Sequence, residues 1–203
     1  ITFVVDAFSR TKKIKYICCA HEQASAMMAD AYSRLGPNFG ATMVTSGPGA
    51  TNLLTGIACS WFDSIPTIHI CGQVNKKELS GYNKTTRKVR QVGFQETDIV
   101  SMAKPITKFS YQIKSLQEIP YIFEKAYNTA TSGRPGPVLI DVPMNFQKQN
   151  IDFSKVKKFS KKEDKTNKAI LKKKINLVIS HINQSKKPII ILGGGIKYSK
   201  SKK

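Results

Sequence analysis

Short apolar runs alternate along this chain with stretches in which apolar residues recur every three or four positions, the rhythm of strand and helix in turn. Residues 1–10 read as the end of a helix. Residues 15–20, with Tyr16, Ile17 and two cysteines, read as a buried strand. Small and apolar residues at helical spacing from Ala24 to Leu35 set a helix over about 22–35. Phe39 to Thr45 is the next strand and Ala50 to Phe62 the next helix. Pro66 to Gly72 (PTIHICG) is a continuous apolar strand, as in a sheet covered on both faces. Residues 75–93 form a polar, lysine-rich loop, long enough to be functional or mobile. A short helix near 96–103 leads to a strand at about 105–113, a helical pattern over 116–132 stops at Gly133, and Pro137 to Val142 (PVLIDV) is another buried strand. The alternation predicts an α/β fold, a mainly parallel βαβ sheet with helices on both faces.

The rhythm then breaks. Residues 145–166 are polar and lysine-rich with scattered aromatics, as in an interdomain linker. A helix at about 167–184 and a strand at 188–192 (PIIIL) run into Gly193-Gly194-Gly195. The expected organisation is a domain over 1–147, a linker over 148–166, and the start of a second, Rossmann-like α/β domain over 167–203. The chain of 203 residues has room for one full domain and part of another. Its initial Ile and terminal lysine run suggest a fragment.

Composition narrows the classes. An apolar fraction of 40% supplies a packed core and excludes global disorder. No apolar run approaches a membrane span and no signal-peptide layout opens the chain, so a soluble cytoplasmic protein with no membrane association is expected. Cys18, Cys19, Cys59 and Cys71 form no paired CxxC motifs, so buried reduced thiols are expected rather than a zinc site. A net charge of +20 raises a polyanion-binding module as an alternative function. The charge is uneven: residues 1–147 carry 16 basic and 10 acidic side chains, a net of +6, whereas 148–203 carry 17 lysines and 3 acids, a net of +14. The tail lacks arginine and the interleaved aromatics of a base-reading surface, so a solvated lysine face is favoured and no specific nucleic-acid partner is expected.

Candidate chemistry sits where strands hand over to helices. Glu22, in His21-Glu22-Gln23, falls between the strand at 15–20 and the following helix, on the rim where open α/β sheets bind ligands. Its apolar flanks predict a raised pKa and a proton that can be shared with a ring nitrogen. Ser46-Gly47-Pro48-Gly49 repeats that geometry one βα unit later and brings bare backbone to the same rim. Taken alone, Glu22 could equally be a carboxylate at a helix N-terminus, and SGPG an ordinary turn.

The segments AHEQASAMMADAYSR, VTSGPGATNLLTGIACSWFDSIPTIHICGQV, GFQETDIV, PITKFSY and SGRPGPVLIDVP, in that order over about residues 1–147, resemble the pyrimidine-binding domain of thiamine-diphosphate enzymes, with the strongest likeness to the acetolactate synthase large subunit. The resemblance implies that Glu22 hydrogen-bonds the N1′ of the cofactor's aminopyrimidine and promotes the tautomer that takes the thiazolium proton. It implies that Gly47, Pro48, Gly49 and Asn52 lie against the pyrimidine, that Phe94 and Gln95 line the approach to the reacting carbon, and that Gln95 hydrogen-bonds substrate. Arg134 and Gly193, Gly194 and Gly195 match positions facing flavin adenine dinucleotide (FAD), which the resemblance therefore allows.

The implied activity is decarboxylation of a 2-keto acid such as pyruvate and transfer of the two-carbon unit to a second keto acid, a transferase step of branched-chain amino acid biosynthesis. A related acetyltransferase, such as sulfoacetaldehyde acetyltransferase, or an oxidase of the same family is the nearer alternative. A truncated product that pairs with a full-length subunit is a further one. The implied assembly is a homodimer or homotetramer, with a regulatory subunit as an additional partner, in which each site takes its glutamate from one chain and its cofactor from another. No GDG motif occurs, so the magnesium ligands are expected in a C-terminal domain outside this sequence, no metal ligands are assigned here, and the chain alone is expected to be inactive. Asn75, where proline is usual, and Met144, where lysine is usual, leave substrate identity open.

Overall fold

The computed structural model describes residues 1–11, 13–35, 39–82, 85, 89–160 and 167–198, so parts of the 75–93 loop and of the 148–166 linker lie outside the described residues. Two compact units divide the chain, Ile1–Phe159 and Ser160–Lys203.

In the first unit the order is α1 (Thr2–Ser9), α2 (Glu22–Leu35), β1 (Gly40–Val44), α3 (Pro48–Thr51), α4 (Leu54–Phe62), β2 (Thr67–Gln73), α5 (Ile99–Ala103), β3 (Phe109–Gln112), α6 (Ile119–Thr131), β4 (Val138–Pro143) and α7 (Met144–Gln147). Among the described residues the four strands form one sheet in the order β1-β2-β4-β3. Every pairing is parallel, with Val44 beside Cys71 and Cys71 beside Asp141. This is the expected α/β architecture, and side-chain alternation explains its layers. Ile68 on β2 and Val138, Ile140 and Val142 on β4 pack with Ile122, Ala126 and Ala130 of α6. Cys71 and Leu139 face the other way and meet Ala26 of α2, Ile57 of α4 and Ile99 of α5. The sheet is thus buried on both faces, which is why its central strands read as unbroken apolar runs. All parallel strands point one way, so the segments after β1, β2 and β4 gather at a single rim.

Two expected strands are absent. Residues 15–20 are not a strand, and Tyr16 and Ile17 are 58% and 74% exposed. Apolar β-prone residues make a strand only when a neighbour takes up their N–H and C=O groups, and neither edge strand, β1 or β3, pairs with them. Residues 188–192 of the second unit likewise form no strand, and Ile189 and Ile191 are exposed. That unit holds α8 (Lys168–Gln184), capped by the Asn167 side chain on the amides of Ala169 and Ile170, and a short α9 (Gly195–Tyr198). The helix expected over 50–62 is broken at Asn52-Leu53 into α3 and α4, and the strand expected at 105–113 shrinks to Phe109–Gln112 behind a 3-10 turn at Lys104–Ile106. Buried thiols were expected throughout, yet only Cys71 is buried; Cys18 and Cys59 are exposed and all four cysteines are free. The displaced pair Cys18 and Cys19 follows from the missing strand. Among the described residues no helix is long and apolar enough to cross a membrane.

The apolar β2 run hides a fully buried His69. Its Nδ1 lies 2.9 Å from Thr42 Oγ1 and its Nε2 2.9 Å from Thr67 Oγ1, so both ring nitrogens are satisfied by hydroxyls that can donate or accept. Burial pulls the ring from its ordinary 6.5 down to about 3. Its folded-state pKa is depressed, so below about pH 6.5 the unfolded chain gains a proton that the buried ring refuses, and the His69 contribution to stability falls as pH drops toward 3. A His69→Asn variant is therefore expected to be less stable than the parent at pH 7, with the gap narrowing as the pH is lowered to 5. Denaturant midpoints at the two pH values check this; a constant gap would sink it.

Candidate functional site

Glu22 opens α2, whose first turn is fixed by the His21 ring: the Gln23 amide donates to His21 Nδ1 at 3.1 Å, so His21 serves as a cap. Glu22 is half-buried at the rim, and Asn52 Nδ2 donates to its Oε2 at 3.0 Å. Asn52 reaches it because the chain turns sharply after β1. Gly47 sits at φ 63, in the left-handed region that favours glycine, and Pro48 then starts α3 at a position where a missing N–H costs nothing. The Asn52 amide N–H bonds Pro48 O at 2.9 Å, which closes the single turn and aims the side chain back at α2.

Gly47 and Gly49 are small for contact reasons as well. A Cβ on Gly49 would stand 2.8 Å from Thr45 Cγ2 and 3.4 Å from Glu22 Oε1, and one on Gly47 would stand 2.6 Å from Gln95 Cβ. The turn after β1 therefore brings Glu22, Gly47, Gly49, Asn52 and Gln95 to one place. Gln95 is itself at φ 60, uncommon for a residue with a side chain. Pro48 and Phe94 flank the cluster on its solvent side, and Phe94 is 84% exposed.

The raised pKa expected for Glu22 is overturned. The Asn52 hydrogen bond holds its carboxyl below the ordinary range, helped by its own backbone amide and by His21, against a smaller opposing effect of burial. Glu22 is thus a charged acceptor. Its Oε2 is committed to Asn52, and its Oε1 lies next to the bare Gly49 main chain.

Other candidates lie elsewhere. Arg134 is exposed and its Nε donates to Ser64 Oγ at 2.7 Å. Gly193, Gly194 and Gly195 belong to the second unit, where a Cβ on any of them would meet nothing within 4 Å. Asn75 caps a 3-10 turn by bonding Glu78, and Met144 follows β4 with its amide 3.4 Å from Val74 O, so both departures from the expected pattern border the same rim. Among the described residues no group of three or more His, Cys, Asp or Glu side chains could hold a metal ion.

The linear pattern did not mark three polar residues behind the cluster, Gln73, Gln112 and Asp141. Their signal in the sequence was no more than a polar side chain within a strand. Gln73 Nε2 donates to Asp141 Oδ2 at 3.1 Å and to Thr97 O at 2.9 Å, and Gln112 Nε2 donates to Asp141 Oδ2 at 2.8 Å.

Comparison with known proteins points the same way. Residues 1–102 match the family model described as thiamine pyrophosphate enzyme, N-terminal TPP binding domain. The acetolactate synthase large subunit of Buchnera aphidicola subsp. Schizaphis graminum is 38% identical over 205 residues, covering 98% of this chain and 33% of that protein. The probable acetolactate synthase large subunit of Methanocaldococcus jannaschii is 39% identical, covering 89% of this chain and 29% of its own length. Isozyme 3 of the Escherichia coli large subunit is 34% identical, covering 95% and 32%. The chain spans about a third of the length of the curated relatives it matches.

Proposed function

We propose, from the fact that the chain belongs to the thiamine pyrophosphate enzymes and carries their N-terminal TPP-binding domain, that this region supplies the proton-handling half of an acetolactate synthase-like active site. The observation that supports the reading best is the charged Glu22 carboxylate, oriented by Asn52 and laid against the glycine turn at 47–49. The cofactor supplies the electron sink for cleaving and joining bonds next to a carbonyl. Glu22 accepts a hydrogen bond from the pyrimidine nitrogen and holds the ring in its proton-shuttling tautomer. Gly47 and Gly49 let the main chain approach the ring, with Pro48 and Asn52 at its edge. Gln95 hydrogen-bonds the substrate carboxylate or carbonyl, and Phe94 keeps water from the approach.

The substrates are 2-keto acids, pyruvate as donor and a second keto acid as acceptor, which places the enzyme in branched-chain amino acid synthesis as a transferase. Magnesium finds no ligand set among the described residues and is expected to come with the diphosphate from another part of the enzyme. FAD is a further expectation, resting on the resemblance at Arg134 and, separately, at Gly193–Gly195. Exposed Tyr16, Ile17, Met27 and Met28 flank Glu22 in sequence and suit burial against a second chain, which supports a homodimer or homotetramer as the active form; a cytoplasmic location is a further expectation. Relatives are large subunits by name, and a regulatory small subunit is proposed to join this one too.

The test is product analysis. A complete subunit bearing this region, given thiamine diphosphate, magnesium and pyruvate, is expected to release carbon dioxide and form acetolactate. Carbon dioxide without a joined product would assign it instead to a different acceptor, and no decarboxylation would overturn the reading.

A further inference from the structure

Asp141 is 1% exposed, sits on β4 among the Cys71–Leu139–Ile99 apolar cluster, and is not part of the Glu22 site. An acid in such a place needs a reason. Its Oδ2 accepts from two amides, Gln73 and Gln112, while its Oδ1 is buried without a hydrogen-bond partner. The titratable groups bearing on it are Cys71, in register on β2, and Asp98, at the N-terminus of α5. Burial pushes the carboxyl from 3.8 up to about 6, against the downward pull of the Gln112 and Gln73 amides.

Gln73 is fully committed. Its Oε1 accepts the Val74 amide at 3.0 Å, which fixes the orientation of the side chain, and its nitrogen is divided between Asp141 and the Thr97 carbonyl. Thr97 lies two residues past Gln95 and its hydroxyl bonds Gln95 O at 3.4 Å. The Glu96 amide bonds Gly93 O at 3.1 Å and closes the turn in which Gln95 takes its positive φ. A left-handed residue with a side chain persists only where its surroundings hold it.

We propose that Asp141 is a positioning residue for Gln95, acting through the Gln73 amide on the Thr97 carbonyl and so on the turn that sets Gln95 against Gly47. The proposal rests on the reading that Gln95 meets substrate, and it adds the buried acid that keeps it in place. Gln112 also donates to Asp141, while the hydrogen bond to Thr97 O comes from Gln73, so Gln112 provides a control inside the same network.

The experiment reads amide hydrogen exchange of Glu96 in the full 203-residue chain, and the kcat and KM of a complete subunit bearing the same changes. Gln73→Met keeps the volume and removes the donor; it is expected to speed Glu96 exchange about tenfold or more while Ile140 in β4 stays protected. Gln112→Met is expected to change Glu96 exchange less than about threefold. Asp141→Ala is expected to match Gln73→Met, and Asp141→Asn, whose amide oxygen still accepts from Gln73, to restore slow exchange. If Asp141→Ala does not fold, Gln73→Met with the Asp141→Asn rescue decides. Unchanged Glu96 exchange in Gln73→Met, or equal loosening in Gln112→Met, overturns the link. In the complete subunit kcat is expected to fall with KM nearly constant. Loosened exchange with unchanged kcat leaves the link standing and overturns the assignment of Gln95 to substrate.

Discussion

Glu22→Gln, in a complete subunit bearing this region, lowers turnover by about three orders of magnitude while the fold survives, within the range a positioned proton-transfer group supplies. The substitution isolates charge from shape. A glutamine at position 22 still offers an oxygen to Asn52 Nδ2, which now lies 3.0 Å from Glu22 Oε2, so α2 and the 47–52 turn keep their contact. It lacks the negative charge that the Asn52 bond, the backbone amide and His21 hold in place. Without that charge the pyrimidine nitrogen is no longer favoured in its protonated form, and the shuttling tautomer is lost. Steady-state rates with pyruvate, taken beside thermal melts of both proteins, check the result. Retention of most of the turnover at unchanged cofactor affinity removes Glu22 from the chemistry. Because Glu22 is held below the ordinary carboxylate range, it stays charged through neutral pH, and the loss is not recovered by raising the pH.

The same residue shows where linear pattern carries information and where it does not. The start of α2 at Glu22, the strands near 39–45, 66–72 and 137–142, and the parallel two-faced sheet were all legible, because burial on both faces leaves a long apolar run that a partly solvated strand lacks. The strand at 15–20 was misread by the same rule. Apolar residues there satisfy the pattern, but pairing is a property of a neighbour, and no neighbour is present in the sheet. The pKa of Glu22 was misjudged for a related reason. The segments on either side of it read as apolar elements, whereas the group that sets its charge, Asn52, is brought from 30 positions away by a turn. Gly47 and Gly49 could be read as bare backbone, yet their contacts with Gln95 and Glu22 depend on how three separate segments meet at the rim. His69, Gln73 and Asp141 are the hardest class. Each is a polar residue set into a largely apolar strand, and only its partners, such as Thr42 on the adjacent strand for His69, explain it.

Gly40→Ala tests how the sheet positions that glutamate, and it is expected to be the most destabilising single-methyl change in the first unit. A Cβ at Gly40 would fall 2.0 Å from Ala29 O and 2.8 Å from Ala29 Cα, both backbone atoms of α2 that no rotamer change can move aside. The Gly40 amide also donates to Ser33 Oγ at 2.8 Å, and that hydroxyl donates on to Pro66 O at 2.8 Å, so β1, α2 and the start of β2 are locked at this point. The methyl has room only if α2 lifts off β1. That opens the Ala26–Gly56 crossing, where the helices are so close that a Cβ on Gly56 would lie 2.4 Å from Ala26 Cβ. Overpacking against a rigid backbone costs ~3 kcal/mol or more, which lowers the melting temperature of a chain this size by about 10 °C. Gly133→Ala is the matched comparison. Gly133 has φ 56 but nothing within 4 Å of its Cβ position, so it bears only the left-handed penalty of about 1 kcal/mol. Since α2 carries Glu22 at its first residue, any Gly40→Ala protein that does fold has its carboxylate pulled from Asn52, and it loses turnover beyond what its stability accounts for. Equal melting temperatures for the two alanine variants would mean that α2 does not bear on β1 at this point, and the route from sheet to glutamate would have to be redrawn.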